Sequence, residues 1–277
     1  MRRLRSEADV WSRLTHWRLS AAPAFDHVGP FARSVADLAI AFDALQGPDA
    51  SDPVCAERPA EPCVPELGLG TAGLRIALAR DDSAAATDES RAVAARVAAA
   101  LGVSAAVVLP ETARARAAAT VITAVEGANV HLSDLRARAK DFDPLTRDRF
   151  RAGAMVPAAA YAQAQRFRAW YRAHIAELFQ DVDVLLAPTT PYPAPPIGAP
   201  RTTAIGAIEV PTRPYLGVFT QPLSFIGLPV LSVPLVAPGA LPLGVQFVAA
   251  PYCEPALFRV AARLEADGIV AAPVVAG

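Results

Sequence analysis

The sequence predicts an α/β fold. A β-α-β alternation over residues 74–109 contains a crossover of more than a dozen residues, which implies parallel pairing within one sheet. Two apolar runs, 228–234 and 243–248, flank a proline- and glycine-containing turn, so they can pair as a hairpin. The chain has 277 residues, of which 53% are hydrophobic, and it can therefore bury a substantial core as one large domain or two small ones.

The first half of the chain alternates between helical and extended patterns. Apolar residues recur at helical spacing after Phe31, which predicts an amphipathic helix that Gly47 and Pro48 end. Residues 51–70 are rich in proline and predict a surface loop. The remaining elements of this half are, in order, a strand at 74–78, an alanine-rich helix at 88–101 that Gly102 ends, and a strand at 107–109.

The second half is predicted to be helical before it returns to the sheet. Helices are expected at 111–135 and 158–179, a short buried strand at 184–188, a proline-rich segment at 189–200 and a closing amphipathic helix at 254–266. The run 228–234 is nearly continuous in apolar residues, which predicts a strand that is buried on both faces. Its hairpin with 243–248 is expected at the centre of the sheet.

A mixed polar and apolar loop, residues 219–225, precedes the strand at 228–234. Its side chains Thr220, Gln221 and Ser224 are expected at the edge of the sheet, where ligands tend to bind, and we predict that they form a substrate-binding wall. The alternative is that these three side chains only satisfy local backbone groups in a turn that proline interrupts.

Charge and cysteine content exclude several classes of protein. The net charge is −1, so no field of either sign is available to attract nucleic acid or an anionic membrane surface. Three cysteines without CxxC spacing indicate neither a disulfide framework nor a zinc site, and a reducing cytoplasm fits this composition best. No apolar run is long enough for a membrane helix, and the first residues lack the apolar centre of a signal peptide.

The sequence gives little support for a metal site, a nucleotide site or an activated nucleophile. The four histidines have no HExxH spacing and are predicted to be surface or structural residues, so no metal is expected. Gly68, Gly70 and Gly73 have GxGxxG spacing, but they lack the lysine and the helix start that phosphate binding requires, and no cofactor is predicted. The sequence also has no GxSxG motif. Asp181 and Asp183 could form a carboxylate pair, although a solvated loop before a buried strand is the preferred interpretation.

Longer motifs resemble those of the amidase signature family. Residues 25–37, FDHVGPFARSVAD, followed by LQGPDASDP at 45–53, are similar to the segment just after the catalytic core of that family. Other motifs are similar to its AtzE-type branch, the 1-carboxybiuret hydrolase subunits, and the resemblance covers about residues 24–266. These motifs are EGAN at 126–129, DFDP at 141–144, RDR at 147–149, LLAPT at 185–189 and the stretch from FTQP at 219–222 to Pro234.

The resemblance implies the amidase signature fold, a single α/β domain with a mixed central β-sheet flanked by helices. It also implies hydrolysis of the C–N bonds of small urea-like amides, without a cofactor, by a serine, a second serine bridged through a cis peptide and a lysine. In the family, the lysine and the glycine-serine-rich loop come before the segment that begins here at Phe25. The N-terminal catalytic part is therefore expected to be missing, and no catalytic residue can be assigned.

Two expectations about the chain follow from this resemblance. Residues 24–277 correspond to the C-terminal portion of a single amidase domain, and residues 1–23 to an atypical start that is disordered or misassigned. The single lysine, Lys140, lies in the polar stretch RARAKDFD and is predicted to be solvated, whereas a catalytic lysine base must be desolvated.

Three functions stay open at this point. The first is an AtzE-type amidohydrolase that is inactive as this truncated chain and takes a small amide substrate when completed. The second is a non-catalytic remnant, or a piece retained for association with a partner. The third is an amidotransferase A-type subunit. Because AtzE-type proteins pair with a small helical protein, the resemblance implies such a partner subunit or a homo-oligomer, and no nucleic acid or membrane partner.

Overall fold

A computed structural model describes residues 22, 24–27, 29–48, 56–81, 84–198, 201–235 and 239–272. The predictions for residues 1–23, apart from Ala22, and for the part of the loop at 51–55 lie outside these ranges. The strands are β1 Ile76–Arg80, β2 Ala106–Val108, β3 Val184–Pro188, β4 Thr202–Ile205, β5 Ile208–Pro211, β6 Val230–Pro234 and β7 Gly244–Val248.

Helices fill most of the chain between these strands. The α-helices are α1 Val35–Leu45, α2 Asp88–Ala100, α3 Thr112–Val130, α4 Leu132–Arg138, α5 Pro144–Gly153, α6 Ala158–Leu178, α7 Thr212–Tyr215, α8 Gln221–Ser224 and α9 Glu254–Ala266. Two 3₁₀ helices, Val64–Leu69 and Ala139–Asp141, are also present.

Helix starts follow from short polar side chains in the sequence. Ser34 accepts a hydrogen bond from the backbone N–H of Asp37 and begins α1, and Thr87 begins α2 in the same way. Asp143 accepts a bond from the N–H of Thr146, and Pro144 occupies the first position of α5, where its missing N–H costs nothing.

Five strands form one mixed sheet in the order β2-β1-β3-β7-β6. β1 is parallel to β2 and to β3, as the β-α-β pattern predicts. β7 is antiparallel to β3 and to β6, so the predicted hairpin is confirmed. The mixed α/β architecture that the resemblance implies is therefore present.

Helices cover both faces of this sheet. On one face, α1, α2 and α9 pack against Leu186, Val245 and Phe247. On the other, α3 and α6 pack together with the α8 region against Leu185 and Val248. We call this second face the α3/α6 face, after the two helices that cover it. It carries the polar groups described below.

The position of β6 corrects one prediction. The hairpin does not lie at the centre of the sheet, because β6 is its edge strand among the described residues. Its burial also differs from the prediction, since Val230 is 42% exposed and Ser232 is exposed, while Leu231 and Val233 are buried. The apolar composition of 228–234 is typical of a doubly covered strand, but this strand is covered on one face.

Several elements differ from the patterns in the sequence. The predicted helix at 111–135 is divided at His131 into α3 and α4. The strand predicted at 74–78 begins two residues later, at Ile76. The β4-β5 hairpin and α5 were not predicted at all, and the predicted loop at 51–70 contains a 3₁₀ helix in its described part.

Two glycines allow α5 to approach α3 closely. A Cβ atom on Gly153 would lie 2.0 Å from the carbonyl oxygen of Ala124, and one on Gly127 would lie 2.2 Å from Cε1 of Phe150. The Phe150 ring therefore lies directly against the backbone of α3. It also stacks on the ring of His131, with centroids 5.4 Å apart.

Candidate functional site

The predicted substrate-binding wall, residues 219–225, lies over the α3/α6 face of the sheet. It forms the short helix α8 and its two flanks, and Pro222 occupies an early helical position that requires no N–H donor. Leu223 and Phe225 are buried against α3 and α6, so these apolar side chains fix the position of the segment. The neighbouring polar side chains Thr220, Gln221 and Ser224 are then held at defined places.

The three predicted site residues do not behave alike. Thr220 Oγ1 donates to the carbonyl of Gly217 at 3.3 Å, and Ser224 Oγ donates to the carbonyl of Gln221 at 3.3 Å. Both hydroxyls thus satisfy local backbone groups, as the alternative interpretation expects. The amide of Gln221 has no hydrogen-bond partner among the described residues, and it lines a cavity.

Gln246 of β7 ties this segment to the sheet. Its side chain is fully buried, and Nε2 donates to the carbonyl of Pro188 at 2.9 Å and to that of Phe219 at 3.1 Å. The first bond joins two neighbouring strands, and the second holds the residue that precedes Thr220. Within the described ranges Oε1 of Gln246 accepts no hydrogen bond, so one buried acceptor is left unsatisfied.

A pair of hydroxyls lies on the same face, next to Gln246. Gln246 is in register with Ser232 of β6, so their side chains share the α3/α6 face. Ser232 Oγ lies 2.8 Å from Thr189 Oγ1, at the end of β3. Gly244 makes room for this pair, because a Cβ there would lie 2.9 Å from Thr189 Oγ1.

A buried ion pair lies at the end of β1. Asp81 accepts hydrogen bonds from Thr112 Oγ1 at 2.7 Å and from Arg116 Nη1 at 3.2 Å. The Asp81 side chain is 5% exposed and that of Arg116 is 17% exposed. Burial raises the pKa of the nearby Tyr171 phenol, whose oxygen has no hydrogen-bond partner among the described residues, and the charge of Asp81 adds to that shift.

A second polar cluster joins α3 to α6. Tyr161 donates to Glu126 Oε1 at 3.0 Å and accepts from Gln165 at 2.9 Å. Arg168 donates from Nε to the carbonyl of Phe225 at 2.6 Å and from Nη2 to that of Ala24 at 2.9 Å. Burial lowers the pKa of the Arg168 guanidinium. These bonds hold the end of the α8 region against α6.

A larger groove follows β6 on the outside of the sheet. Its volume is about 600 Å³, and it contains both the exposed strand residues Val230 and Ser232 and the fully exposed ring of Phe31. Other aromatic residues in its wall are Phe42, Tyr252 and Phe258. The groove is mainly apolar in composition.

The described residues contain little of the machinery of covalent catalysis. No serine hydroxyl within the described ranges is hydrogen bonded to Lys140, and that lysine is exposed, as predicted. In the same part of the chain, no group of three or more His, Cys, Asp and Glu side chains is arranged to hold a metal ion. Asp183 is not part of a carboxylate pair, because it forms an ion pair with Arg75 at 2.8 Å.

Sequence reasoning did not identify Gln246, Arg116, Glu126 or Arg168 as site residues. A signal existed for Gln246, since it is a polar residue inside an otherwise apolar strand. The spacing of Tyr161, Gln165 and Arg168, at i, i+4 and i+7, places them on one helix face. No local pattern distinguishes Arg116 from the other arginines, because its role depends on Asp81, 35 residues earlier in the chain.

No helix in the described ranges has the length and apolar character that a membrane crossing requires.

Residues 9–258 match the protein family described as Amidase. The chain is 45% identical over 251 residues to AtzE of Pseudomonas sp. (strain ADP), a component of 1-carboxybiuret hydrolase, and the match covers 88% of this chain and 54% of that protein. It is 33% identical over 288 residues to the A-type subunit of the glutamyl-tRNA(Gln) amidotransferase of Granulibacter bethesdensis, covering 92% of this chain and 56% of that protein.

Solved structures agree with the sequence matches. An inhibitor-bound structure, described as a vestigial protein complex that reveals the evolutionary origins of an s-triazine catabolic enzyme, superposes with a TM-score of 0.87 at 43% identity. The match covers 90% of this chain and 55% of that one. An amidase crystal structure at 24% identity and a TM-score of 0.73, covering 90% of this chain and 54% of that one, shares the fold. The chain thus spans about half the length of the relatives it matches.

Proposed function

The chain belongs to the amidase signature family, and from this premise we propose that it is part of an AtzE-type amidohydrolase that cleaves C–N bonds of small urea-like amides. The observation that carries the proposal is the 45% identity to AtzE across 88% of the chain. The TM-score of 0.87 to the s-triazine enzyme complex supports the same branch. The match to the A-type subunit of the amidotransferase is weaker in sequence, at 33% identity.

We further propose that residues 24–277 form the C-terminal portion of the amidase domain and supply the substrate-binding wall. Gln221 is the central residue of this wall, since its amide is not used by the described part of the fold and can both donate to and accept from a planar urea-like group. Thr220 and Ser224 are assigned to the same wall. Their local hydrogen bonds support a role in shaping the backbone around Gln221.

The 277-residue chain is proposed to be inactive alone. Activation of a serine requires a base within hydrogen-bond reach, and the single lysine is exposed and bonded to no serine among the described residues. A two-piece assay tests this. The chain is assayed for ammonia release from biuret and 1-carboxybiuret, alone and co-expressed with the part of the Pseudomonas AtzE relative that it does not cover.

We expect turnover from the two pieces together and none from the chain alone. Turnover by the chain alone that is lost on mutation of one of its own serines would show that the inactivity proposal is wrong. An assembled but inactive pair would favour the non-catalytic remnant. A pair that amidates glutamyl-tRNA and leaves urea-like amides intact would favour the amidotransferase alternative.

In the active pair, Gln221→Ala is expected to lower kcat/KM by roughly one to two orders of magnitude, which corresponds to about 1 to 3 kcal/mol for an unpaired buried polar group on the substrate. The melting temperature should change little, because the amide has no partner among the described residues of the chain. Unchanged kinetics with a clear loss of stability would assign the segment a purely structural role.

We also propose that the protein binds a partner subunit and is located in the cytoplasm. The similar s-triazine enzyme structure is described as a protein complex, which supports a small partner subunit, with a homo-oligomer as the alternative. The free thiols of Cys63 and Cys253 are compatible with a reducing compartment.

A further inference from the structure

The side chain of Gln221 lies across the backbone of Gly217. A Cβ atom added to Gly217 would lie 3.2 Å from Cγ, 3.4 Å from Cδ and 3.6 Å from Nε2 of Gln221. These are the three nearest atoms outside Gly217 and its two chain neighbours. The backbone N–H of Gln221 also donates to the Gly217 carbonyl at 2.8 Å. The carboxamide therefore packs against backbone that carries no side chain of its own.

The turn at Gly217 does not itself require a glycine. Its φ angle lies outside the left-handed region, in contrast to those of Gly198 and Gly227, which are 77° and 74°. Alanine can adopt such a conformation, and it reduces the conformational entropy of the unfolded chain, which favours folding. The atoms that an alanine Cβ would approach most closely belong to Gln221, so the cost of a side chain at this position falls on Gln221.

The backbone beneath the carboxamide is fixed by hydrogen bonds. The Gly217 carbonyl accepts from the N–H of Thr220 at 3.1 Å and from Thr220 Oγ1 at 3.3 Å. Phe219, between these two residues, is buried, and its carbonyl accepts from Gln246. This support restricts the Gln221 side chain before a ligand arrives, so less side-chain entropy is lost on binding.

The carboxamide of Gln221 has unused hydrogen-bonding capacity. It is half-buried and has no hydrogen-bond partner among the described residues. Its N–H and C=O groups point in different directions, so the partners that it can bind depend on how the amide is oriented. A Cβ at 3.2 Å from Cγ would force the side chain to move by a few tenths of an ångström. Such a movement changes where both polar groups point.

We propose that Gly217 is a positioning residue for the Gln221 carboxamide, because its bare Cα provides the place from which that amide reaches a urea-like group. The inference rests on the proposed function, since Gln221 belongs to the proposed substrate-binding wall. Gly217 does not contact the substrate and acts only through Gln221. One added methyl group should therefore weaken catalysis without weakening the fold.

Gly217→Ala in the active two-piece enzyme is the first test. We expect kcat/KM for the urea-like amide to fall roughly tenfold, because a small misplacement of a substrate-binding group is costly. The melting temperature should stay the same or rise slightly. Gly68→Ala is the matched control, since its φ is also outside the left-handed region but a Cβ there meets nothing within 4 Å. This control should leave kcat/KM unchanged.

A double-substitution cycle separates positioning from a general disturbance. In an enzyme that already carries Gln221→Ala, Gly217→Ala should lower kcat/KM by less than twofold, because no carboxamide is left to displace. A tenfold loss in that background would show that Gly217 acts on another group, and the inference would be wrong. An unchanged kcat/KM for Gly217→Ala alone, in an enzyme that Gln221→Ala impairs, would also overturn it.

A second measurement needs no turnover. In the 277-residue chain, labelled at glycine and glutamine, the Gln221→Met variant identifies the side-chain amide signals of Gln221 by their loss. We expect a nuclear Overhauser effect between the Hα protons of Gly217 and the Hγ protons of Gln221. Gly217→Ala should shift the Gln221 amide signals, whereas Gly68→Ala should not.

The two measurements distinguish failure of this inference from failure of the proposed function. If the Overhauser effect is missing and Gly217→Ala leaves the Gln221 signals unshifted, Gly217 does not position the carboxamide, even in an active two-piece enzyme. If both NMR results are as expected but the assembled pair does not hydrolyse urea-like amides, the positioning by Gly217 is sustained and the proposed function is wrong.

Discussion

Gln246 places an uncharged polar side chain inside an apolar layer, and its two donated hydrogen bonds hold Pro188 and Phe219. Gln246→Met keeps the length of the side chain but leaves both carbonyls without their partner. We expect the free energy of unfolding to fall by about 1 to 3 kcal/mol, the cost of buried unsatisfied polar groups. Urea denaturation monitored by circular dichroism measures the change.

Gln221→Met is the control for that substitution. The Gln221 amide has no partner in the described residues, so its loss should change the free energy of unfolding by no more than about 0.5 kcal/mol. Equal stabilities of the two variants would show that the bond from Gln246 to Phe219 does not anchor the α8 segment.

The two described cysteines differ in reactivity for a physical reason. Cys63 is fully buried, and desolvation, together with the charge of Asp43, raises the pKa of its thiol to about 12. Cys253 is exposed, although the protein atoms that surround it remove some solvent from its thiol and raise the pKa of that thiol as well. At pH 8 we expect N-ethylmaleimide to label Cys253 at least tenfold faster than Cys63, because the thiolate is the reactive form. Tandem mass spectrometry locates the label, and rapid labelling of Cys63 in the folded chain would contradict its burial.

At the scale of elements, one exposed ion pair connects the starts of β1 and β3. Arg75 contacts the Asp183 carboxylate through Nε at 3.2 Å and Nη2 at 2.8 Å, and its backbone N–H donates to Oδ2 at 2.7 Å. The hydrogen bond from the Arg75 side chain lowers the pKa of Asp183 below its usual 3.8. A carboxyl whose pKa is lower in the folded state adds stability above its unfolded pKa and loses that contribution as the pH falls.

Asp183→Asn should therefore lower the Tm at pH 7 by about 1 to 3 °C, a small effect because solvent screens the pair. The difference from wild type should shrink as the pH falls below about 4. Asp181→Asn is the control, since that carboxyl has no ion pair among the described residues. A Tm difference that persists unchanged in strong acid would assign the effect to something other than the charge of Asp183.

Elements with strong local patterns could be predicted, and those decided by tertiary contacts could not. α2 has a capping threonine, α9 has regular apolar spacing, and both are found where the sequence places them. The division of the α3 region at His131 has no proline or glycine to indicate it. There the His131 ring packs against Phe142 and Phe150, which lie beyond the helix, so distant contacts decide where α3 ends.

At the scale of the molecule, the part of β6 at Val230 and Ser232, which pairs with β7 alone among the described strands, determines how the purified chain should behave. The backbone N–H of Ala249 donates to the carbonyl of Pro229, and the backbone N–H of Leu235 donates to the carbonyl of Leu243. In an antiparallel pair, every second residue bonds to the neighbouring strand. The backbone N–H and C=O groups of Val230 and Ser232 therefore point away from β7. β6 carries no charged residue to discourage pairing with another chain. We expect the chain to be poorly soluble alone, with association that increases with concentration in sedimentation and light-scattering measurements.

Val230→Lys places a charge on this edge and should reduce the association several-fold. Lysine at Ile208, another exposed apolar strand residue but in the separate β4-β5 hairpin, is the control and should change little. A monodisperse monomer with a sharp cooperative melt at high concentration would show that the exposed edge has no such effect.

The fold and the site differed in how far the sequence could predict them. The parallel and hairpin pairings follow from local patterns, and the resemblance to the amidase signature family implied their union in one mixed sheet, which is confirmed. The candidate site depends on side chains far apart in sequence, such as Asp81 with Arg116 and Gln246 with Phe219. Periodicity carries no information about such pairs.

The contact between Gly127 and Phe150 has a consequence for spectroscopy. Because the aromatic ring lies where a Cβ of Gly127 would be, one Hα proton of that glycine points directly at the ring. Ring current should shift its resonance far from the usual glycine range. That single signal would report in solution whether α5 is docked on α3, in the free chain and again after a second polypeptide or a ligand has been added.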